Sequence, residues 1–409
     1  MKSIGSWFMG DRVIWVVYFF LCIISLVEVF SAASTLAYKS GSFWDPLLKQ
    51  AGFLTLGTVI AVVIHKVPCR MFKAVPILLL PVSLLFLMIT LFSGKSTNGA
   101  ARWCEFLGIQ FQPSELAKGA VVITVALILS RMQRENGADR RAFKLIMWVA
   151  GITCALILPE NLSTACLLFG VVVLMMFIGR VSLVQLGKLF GVLALVGCLG
   201  ALLVFSMPKG GSLGDVPVLH RMQTWSNRIS SHLSADEDDP NKNPLTYDID
   251  KDAQVAHANI AIASSNFVGK MPGNSVERDF LSQAFSDFIF AIIIEEMGLW
   301  GAAAVVFLYV ILLFRAGRIS SRCERTFPPF LAMGLTLLLV SQAILNMLVA
   351  VGLFPVTGQP LPLISRGGTS TLINCVYIGM ILSVSRYAKQ VAQPQHTQFD
   401  GPMTEIRHE

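Results

Sequence analysis

Ten apolar segments, nine of them at least 18 residues long, constrain the fold of this chain more than any other feature. A membrane-spanning helix needs about 20 predominantly apolar residues. The segments lie at residues 13–34, 48–65, 74–93, 114–132, 145–160, 163–180, 189–207, 286–314, 328–354 and 369–387. Charged residues make up only 14% of the chain, well below the roughly 25% typical of soluble domains. The sequence therefore predicts an all-α polytopic membrane protein with ten transmembrane helices.

Basic residues predict how these helices are oriented. Arg and Lys cluster after the second, fourth, sixth, eighth and tenth segments, at residues 66–73, 131–144, 180–188, 315–325 and 386–389. Basic gaps face the cytoplasm, so both termini are predicted to be cytoplasmic. A long extracytoplasmic loop, residues 207–286, then separates helices 7 and 8. No basic patch exists apart from this inner rim, so no nucleic-acid partner is expected.

The chain is predicted to form one membrane domain, residues 1–390, followed by a polar cytoplasmic tail, 391–409, that is expected to be disordered. Of its eight cysteines only Cys104 is placed outside the membrane and cytoplasm, so a disulfide framework is not expected. The first apolar segment lacks a convincing cleavage site and is predicted to remain as a membrane helix.

Three acids on the predicted eighth helix suggest a functional site. Asp287 lies at the start of that helix, and Glu295 and Glu296 follow within it. Carboxylates at membrane depth are costly and usually face a bundle interior or a wet cavity. Asp287 has two interpretations: an acid that complements the helix dipole with Ser286 as the cap, or a catalytic carboxylate. The sequence offers no His and Cys metal cluster, nucleotide-binding loop or Ser-His-Asp set, which leaves carboxylate acid–base chemistry.

The fourth helix opens with a second polar motif, Gln112-Pro113-Ser114-Glu115, which continues to Lys118. Glu115 and Lys118 are three residues apart and share one helix face. They are interpreted either as a neutralising ion pair, which spacing favours, or as a cavity wall in which Lys118 meets an anionic substrate.

The preceding outer loop carries Arg102 and Trp103. Arg102 is a candidate phosphate ligand, because a guanidinium binds phosphate oxygens with two parallel hydrogen bonds. A solvated loop charge is the alternative, and interfacial Trp is an ordinary membrane anchor.

The last outer turn, Gly352 to Ser370, is rich in Gly and Pro and includes Ser365, Gly367 and Gly368. Such a composition does not form a regular helix. Irregular backbone at membrane depth must be buried in protein or line a polar cavity. The segment is therefore predicted to be a re-entrant turn beside a cavity.

These motifs, in this order, resemble the SEDS family of shape, elongation, division and sporulation proteins. The matching segments are Asn98-Gly99-Ala100-Ala101-Arg102-Trp103, Gln112 to Lys118, Ser286 to Ala291 with Glu295-Glu296-Met297-Gly298, and Gly352 to Ser370. The resemblance covers about residues 11–386. It implies ten membrane helices and polymerisation of lipid II into peptidoglycan glycan strands.

The resemblance also implies site residues. Asp287 occupies the position of the family's catalytic aspartate, and Arg102, Glu115, Lys118 and Ser365 are the candidate substrate-binding or cavity residues. Supporting positions are Trp103, Gln112, Ser114, Glu295, Glu296, Gly367 and Gly368.

Three positions depart from the family pattern. A Leu-Pro-Glu-x-His segment reads Leu281-Ser282-Gln283-Ala284-Phe285 here, and a Pro-Asp-Leu-Gly-Thr segment has Asn161 in the place of its acid. Arg366 stands where many members have Tyr. The chain is accordingly predicted to belong to a divergent branch.

Sugar transfer with loss of a diphosphate lipid needs a base for the attacking hydroxyl and positive charge for the leaving group. Asp287 supplies the base, and Arg102, Lys118 or a divalent cation (Mg²⁺ or Mn²⁺) near Asp287 would stabilise the diphosphate. The expected partners are lipid II, the nascent strand, a class B penicillin-binding protein and other division or elongation membrane proteins.

The expected location is the bacterial cytoplasmic membrane. Likeness in the Asn-Gly-x-x-Arg-Trp segment and the Ser-Arg-Gly-Gly turn favours a division role over elongation. A lipid II flippase is the rival hypothesis, and a non-catalytic scaffold is a third.

Overall fold

The computed structural model describes residues 9–32, 44–93, 95–97, 100–106, 109–135, 137–206, 253–281 and 284–392. Its helices are α1 (Arg12–Ala32), α2 (Trp44–Ile64), α3 (Val75–Ser93), α4 (Pro113–Arg131), α5 (Arg140–Ile157), α6 (Leu162–Ile178), α7 (Leu183–Ser206), α8 (Ala253–Ala263), α9 (Ile289–Ser320), α10 (Phe327–Ala350) and α11 (Thr369–Ala392). Each predicted membrane segment corresponds to one helix. Six of them (α1, α2, α4, α9, α10 and α11) are long and apolar enough to cross a membrane. The prediction of a polytopic helical membrane protein is confirmed.

Several helices extend further than predicted at their basic ends. α5 begins at Arg140 rather than 145, and α7 begins at Leu183 rather than 189. α9 reaches Ser320 rather than 314, and α11 reaches Ala392 rather than 387. The cationic residues assigned to gaps occupy terminal helical turns instead, because their long side chains reach water while the backbone stays helical.

The beginning and end of the bundle lie together at what we call the basic end. Arg315, near the end of α9, forms an ion pair with Asp11. The Lys389 ammonium donates to the Gly10 carbonyl, and Arg386 Nη2 donates to the Lys66 carbonyl oxygen at 2.8 Å. The first and last described residues therefore lie on the same side, as an even number of crossings requires. Which compartment this side faces stays a prediction.

α4 is the central helix of the bundle. In its most apolar stretch, 83% of the residues are buried inside the protein. The helix contacts α3, α5, α6 and α10. Gly119 permits a close approach to α11, since a Cβ at that position would lie 2.4 Å from Tyr377 Oη. Small residues at helix interfaces commonly allow such close packing in membranes.

The connection between α3 and α4 was predicted as a loop, and that prediction is wrong for its strand residues. Three short antiparallel strands form a sheet in the order β1 (Lys95–Thr97), β2 (Ala100–Phe106) and β3 (Ile109–Phe111). A second, two-stranded sheet, β4 (Gln133–Arg134) and β5 (Gly137–Ala138), precedes α5. β2 and β3 contain aromatic residues, which favour strands. The polar residues that flank them had indicated a loop.

The predicted eighth helix, 286–314, is not continuous. Gly298 has a left-handed φ of 65° with ψ of −167°, which interrupts α9 within its membrane-spanning length. The backbone N–H groups of Lys270 and Met271 donate to the carbonyls of Glu295 and Glu296 at 2.9 and 2.8 Å. These bonds satisfy carbonyls that the break frees, as buried irregular backbone requires.

A glycine pair makes this interruption possible. A Cβ on Gly298 would lie 2.4 Å from the Phe267 carbonyl oxygen, and one on Gly269 would lie 2.3 Å from the Glu296 carbonyl oxygen. Only glycine permits such an approach of the two backbones.

The long loop before α9 is only partly described. Within it, residues 253–263 form the short helix α8. Residues 207–252, which include the acidic run 235–240, and residues 393–409 of the predicted tail lie outside the described ranges.

Candidate active site

The irregular segment between α10 and α11, which we call the Gly-Pro turn (residues 351–368), is packed into the end of the bundle opposite the basic end. Gly352, Gly358 and Gly368 have positive φ values of 74°, 69° and 51°. Leu363 and Ile364 are buried. The predicted re-entrant turn is therefore present, and its residues 361–365 are enclosed by protein.

Polar side chains from α1, α9 and α10, and from the N-cap residue of α6, hold the Gly-Pro turn. The hydrogen bonds run from Ser25 Oγ to Ile364 O (2.7 Å), from Gln342 Nε2 to Pro360 O (3.0 Å), from Asn346 Nδ2 to Gln359 O (2.7 Å), from Asn161 Nδ2 to Thr357 O (3.4 Å) and from the Tyr309 hydroxyl to Pro362 O. In return, Gln359 Nε2 donates to Thr164 Oγ1 of α6 at 2.6 Å. The turn's carbonyls are thus satisfied by fixed donors, which makes it a rigid platform.

The chain just before α9 is fixed to this platform. Ser365 Oγ donates to the Ser286 carbonyl at 2.6 Å, and the Arg366 backbone N–H donates to the Phe285 carbonyl at 3.0 Å. Asn346 Nδ2 donates to the Asp287 carbonyl at 2.8 Å. The backbone around Asp287 is therefore anchored on both sides, while the Asp287 residue itself is half-buried.

Ser286 does not cap α9. The N-cap residue is Phe288, which makes no side-chain capping bond, and the Ser286 hydroxyl donates to Asp287 Oδ1 at 2.9 Å. The interpretation of Ser286 as the cap is wrong, because the helix begins later than predicted. The Ser286 hydroxyl instead orients the Asp287 carboxylate through this hydrogen bond.

Glu115 and Lys118 form the ion pair that their spacing predicted. Lys118 Nζ lies 2.7 Å from Glu115 Oε1, and their side chains are only 1% and 3% exposed. Lys118 also donates to Gln342 Oε1 at 2.7 Å. Gln342 and Asn346 are one helical turn apart on α10, so the ion pair and the Asp287 anchor are separated by about 6 Å along that helix.

Lys118→Met should lower the free energy of unfolding by about 3–5 kcal/mol, because it leaves the buried Glu115 carboxylate without its cation. Thermal unfolding in detergent would measure the change, with Lys49→Met, which removes an exposed lysine on α2, as control. Glu115→Gln combined with Lys118→Met should recover part of the loss. Wild-type stability with weakened lipid II binding would instead assign Lys118 to the substrate.

The remaining residues of the fourth-helix motif lie close to this pair. Gln112 is the N-cap of α4 and makes no side-chain capping bond. Ser114 is buried, and its hydroxyl has no hydrogen-bond partner among the described residues. Ser114 and the Glu115–Lys118 pair are therefore polar groups inside the bundle, at the start of α4.

The Arg102 and Trp103 side chains lie outside the described part of the structure, although their backbone belongs to β2. The hydroxyl of Thr369, the first residue of α11, donates to the Gln110 carbonyl of β3 at 3.5 Å. This bond ties the sheet to the end of the Gly-Pro turn. A Cβ on Gly367 would lie 2.0 Å from Ser370 Oγ, so a larger residue there would require the Ser370 side chain to move.

Glu295 and Glu296 belong to a separate cluster. Lys270 Nζ contacts Glu295 Oε1 at 2.7 Å, and Arg278 Nη1 lies 3.8 Å from Glu296 Oε1. Ser275 donates to Glu295 through its hydroxyl and to Glu296 through its backbone N–H. The two glutamates thus hold the loop before α9 against its interruption, so the three acids of this helix do not form one site.

Arg366 has no role predicted from the sequence, and the structure places it against Phe285. Its guanidinium carbon lies 5.6 Å from the centre of the Phe285 ring, and no ion pair joins it to a carboxylate among the described residues. Partial burial lowers the pKa of Arg366 below its ordinary value. Two departures from the family pattern, Phe285 and Arg366, are therefore in contact with each other beside Asp287.

Two amides on α10 were also missed. Gln342 and Asn346, both buried, hold the Gly-Pro turn and the Asp287 backbone. Their signal in the sequence is two amides four residues apart inside an otherwise apolar helix, where polar groups mark interhelical bonds.

A divalent cation near Asp287 stays a prediction. Within the described residues no group of three His, Cys, Asp or Glu side chains converges. A cation at Asp287 would need phosphate oxygens of the substrate as further ligands, which is a common arrangement for Mg²⁺.

Comparison with known proteins places the chain in a family. The cell cycle protein family FtsW/RodA/SpoVE matches residues 11–390. Proteins named probable peptidoglycan glycosyltransferase FtsW are similar to it: that of Halomonas elongata is 31% identical over 388 residues (91% of this chain, 90% of the relative), and that of Nitrosomonas europaea is 32% identical over 371 residues (88% and 89%).

Solved structures share the fold. A chain from a peptidoglycan synthase complex that coordinates polymerization and crosslinking has a TM-score of 0.72 at 23% identity, covering 93% of this chain and 99% of that one. The rod shape determining protein RodA of Thermus thermophilus has a TM-score of 0.60 at 22% identity, covering 93% and 98%. The family match over nearly the whole chain, with the motifs in order, shows that this chain belongs to the FtsW/RodA/SpoVE family of cell cycle proteins.

Proposed function

We propose that this chain is a peptidoglycan glycosyltransferase that polymerises lipid II into glycan strands at the outer face of the cytoplasmic membrane. The observation that carries the proposal is the half-buried Asp287, whose backbone is fixed by Asn346 and whose neighbour Ser286 is fixed by Ser365. A base for proton transfer must be held at a fixed position while its carboxylate remains reachable. The similar proteins named as peptidoglycan glycosyltransferases support the same activity.

The reaction joins two membrane-anchored substrates. The acceptor hydroxyl of lipid II attacks the anomeric carbon of the donor strand, and the bond from that carbon to the prenyl diphosphate breaks. The Asp287 carboxylate takes the hydroxyl proton as the new bond forms, and the diphosphate leaves with the bonding electron pair. Attack opposite the leaving group inverts the anomeric carbon and gives a β-linkage.

The leaving diphosphate requires positive charge, and Arg366 is better placed to supply it than Lys118. Lys118 is fully buried and already contacts Glu115 and Gln342. Arg366 is only partly buried and follows Ser365, which holds the chain next to Asp287. Arg102 remains a second candidate, because a guanidinium can bind two phosphate oxygens at once.

The proposed partner is a class B penicillin-binding protein, which would cross-link the new strand. Support comes from the fold shared with a chain of a peptidoglycan synthase complex. A role in division is favoured over elongation, because several similar proteins are named FtsW.

The proposed orientation places the basic end in the cytoplasm. In a cysteine-free background, Glu135→Cys should react with an impermeant thiol reagent only after permeabilisation, because basic gaps face inward. Pro240→Cys in the long loop should react from outside. Labelling of both positions from the same side of intact cells would contradict this orientation.

A lipid II flippase is the second candidate. The interruption of α9 at Gly298 favours it, since broken helices are common at the substrate sites of transporters. However, the break is filled by backbone of the loop before α9, and the polar contacts around Asp287 gather at one end of the bundle. Alternating access would need a comparable site facing the basic end.

Incubation of the purified chain with purified lipid II, with and without the penicillin-binding protein, tests the proposed activity. Glycan strands resolved by gel electrophoresis are the expected product. Unchanged lipid II in both samples would contradict the proposal.

A further inference from the structure

A cavity of about 230 Å³ lies at the basic end, remote from Asp287. Its walls come from the short 3₁₀ helix Cys69–Lys73 between α2 and α3, the start of α10 and the last turns of α11. α9 begins just after Asp287 and ends at Ser320 near this cavity, so the length of a membrane-spanning helix separates the two sites.

The cavity combines an apolar floor with a cationic rim. Phe327 and Pro328 are buried in the floor, and Tyr387 is partly buried beside them. Three exposed cations surround it: Arg70, Lys73 and Arg325.

The aromatic rings hold two of these cations over the opening. Lys73 Nζ lies 5.6 Å from the centre of the Phe327 ring, and the Arg325 guanidinium carbon lies 6.0 Å from the centre of the Tyr387 ring. Cation–π contacts of this length orient a cation and leave its N–H donors free to bind an anion.

The rim cations lack carboxylate partners. Among the described residues, no ion pair joins Arg70, Lys73 or Arg325 to an acid. No acid lines the cavity among the described residues, and Glu324, next to Arg325 in the chain, is exposed, so positive charge exceeds negative charge at the rim. Three cations with free donors above an apolar floor match an amphiphilic anion.

We propose that this cavity binds an anionic phospholipid of the surrounding leaflet, with its phosphate on Arg70, Lys73 and Arg325 and its first acyl carbons on Phe327, Pro328 and Tyr387. The cavity lies where helices end, which is the depth of lipid headgroups. Basic pockets between membrane helices are suited to anionic headgroups, with each cation contributing to binding. The apolar floor distinguishes such a lipid from a free phosphate ion.

Neutralising the rim tests the assignment. In the triple variant Arg70→Gln, Lys73→Gln, Arg325→Gln, the apparent dissociation constant for phosphatidylglycerol should rise about 100-fold, because each cation contributes roughly fivefold. Native mass spectrometry of the detergent-solubilised full chain would measure binding, and lipid-dependent thermal stabilisation would confirm it. The control variant Arg140→Gln, Lys188→Gln, Arg318→Gln removes the same charge from exposed positions that do not line the cavity.

Wild type and the control variant should bind phosphatidylglycerol with the same affinity. Neither protein should bind phosphatidylcholine or inorganic phosphate. If the triple variant fails to fold, the single variant Arg325→Gln should still weaken binding measurably. Equal phosphatidylglycerol binding by the pocket and control variants would overturn the proposal. So would stabilisation by inorganic phosphate alone, or binding that appears only when residues 393–409 are removed, which would assign the cavity to that segment.

Discussion

Asp287→Asn should reduce glycan-strand synthesis to background while leaving the fold intact. Asparagine keeps the shape of the side chain but takes up no proton at neutral pH, and loss of a general base typically costs about 10²–10⁴-fold in rate. The anchor from Asn346 reaches the backbone carbonyl of residue 287 rather than its side chain. The Ser286 hydroxyl can still donate to the amide oxygen, so the substitution spares the local structure.

Polymerisation of purified lipid II would measure this effect, with thermal unfolding as the check on folding. Asp279→Asn is the matched control, because it makes the same change at a side chain 55% exposed and outside the cluster around Asp287. The control should polymerise at the wild-type rate. Near wild-type synthesis by Asp287→Asn would refute the assignment of the general base.

Arg366→Gln should slow polymerisation about 100-fold, because removal of one preorganised group that stabilises developing charge commonly costs 10²–10³ in rate. The fold should persist, since residue 366 holds Phe285 through its backbone N–H. Arg366→Lys should be intermediate, because an ammonium keeps the charge but lacks the two-pronged geometry.

Phe285→Leu is the matched control for Arg366. It removes the ring that contacts the guanidinium but keeps an apolar side chain and the backbone bond. Its polymerisation rate should stay within a few-fold of wild type. If Arg366→Gln polymerised normally, the diphosphate would have to be assigned to another cation, with Arg102 first.

The membrane helices and one ion pair were predictable because their signals are local. A membrane-spanning helix is recognisable in the sequence as a long apolar run. The spacing of Glu115 and Lys118 alone places them on one helix face. The length of the helices at the basic end was underestimated for an equally local reason. Lysine and arginine were counted as gap residues, although their side chains allow the helix to continue.

The remaining features depend on residues distant in sequence. The break at Gly298 exists because Gly269, in the loop before α9, fits against it. The same loop draws Glu295 and Glu296 away from Asp287 through Lys270 and Ser275. Periodicity carries no information about such contacts.

The active-site neighbourhood shows the same division. Motif order identified Asp287, Ser365 and the Gly-Pro turn. It did not show that Arg366 and Phe285 touch, or that Asn346 fixes Asp287. Both depend on α10 and the turn folding back onto the start of α9.

The most direct test of the proposed function compares synthesis and transport in one preparation. The purified chain would be reconstituted in liposomes that carry lipid II in both leaflets, and glycan strands and transbilayer movement of lipid II would be measured together. If the chain is a polymerase, the wild type should make glycan strands and Asp287→Asn should make none. Lipid II should then move between leaflets no faster than in protein-free liposomes. Rapid movement of lipid II without strand synthesis by the wild type would contradict the account and identify a transporter.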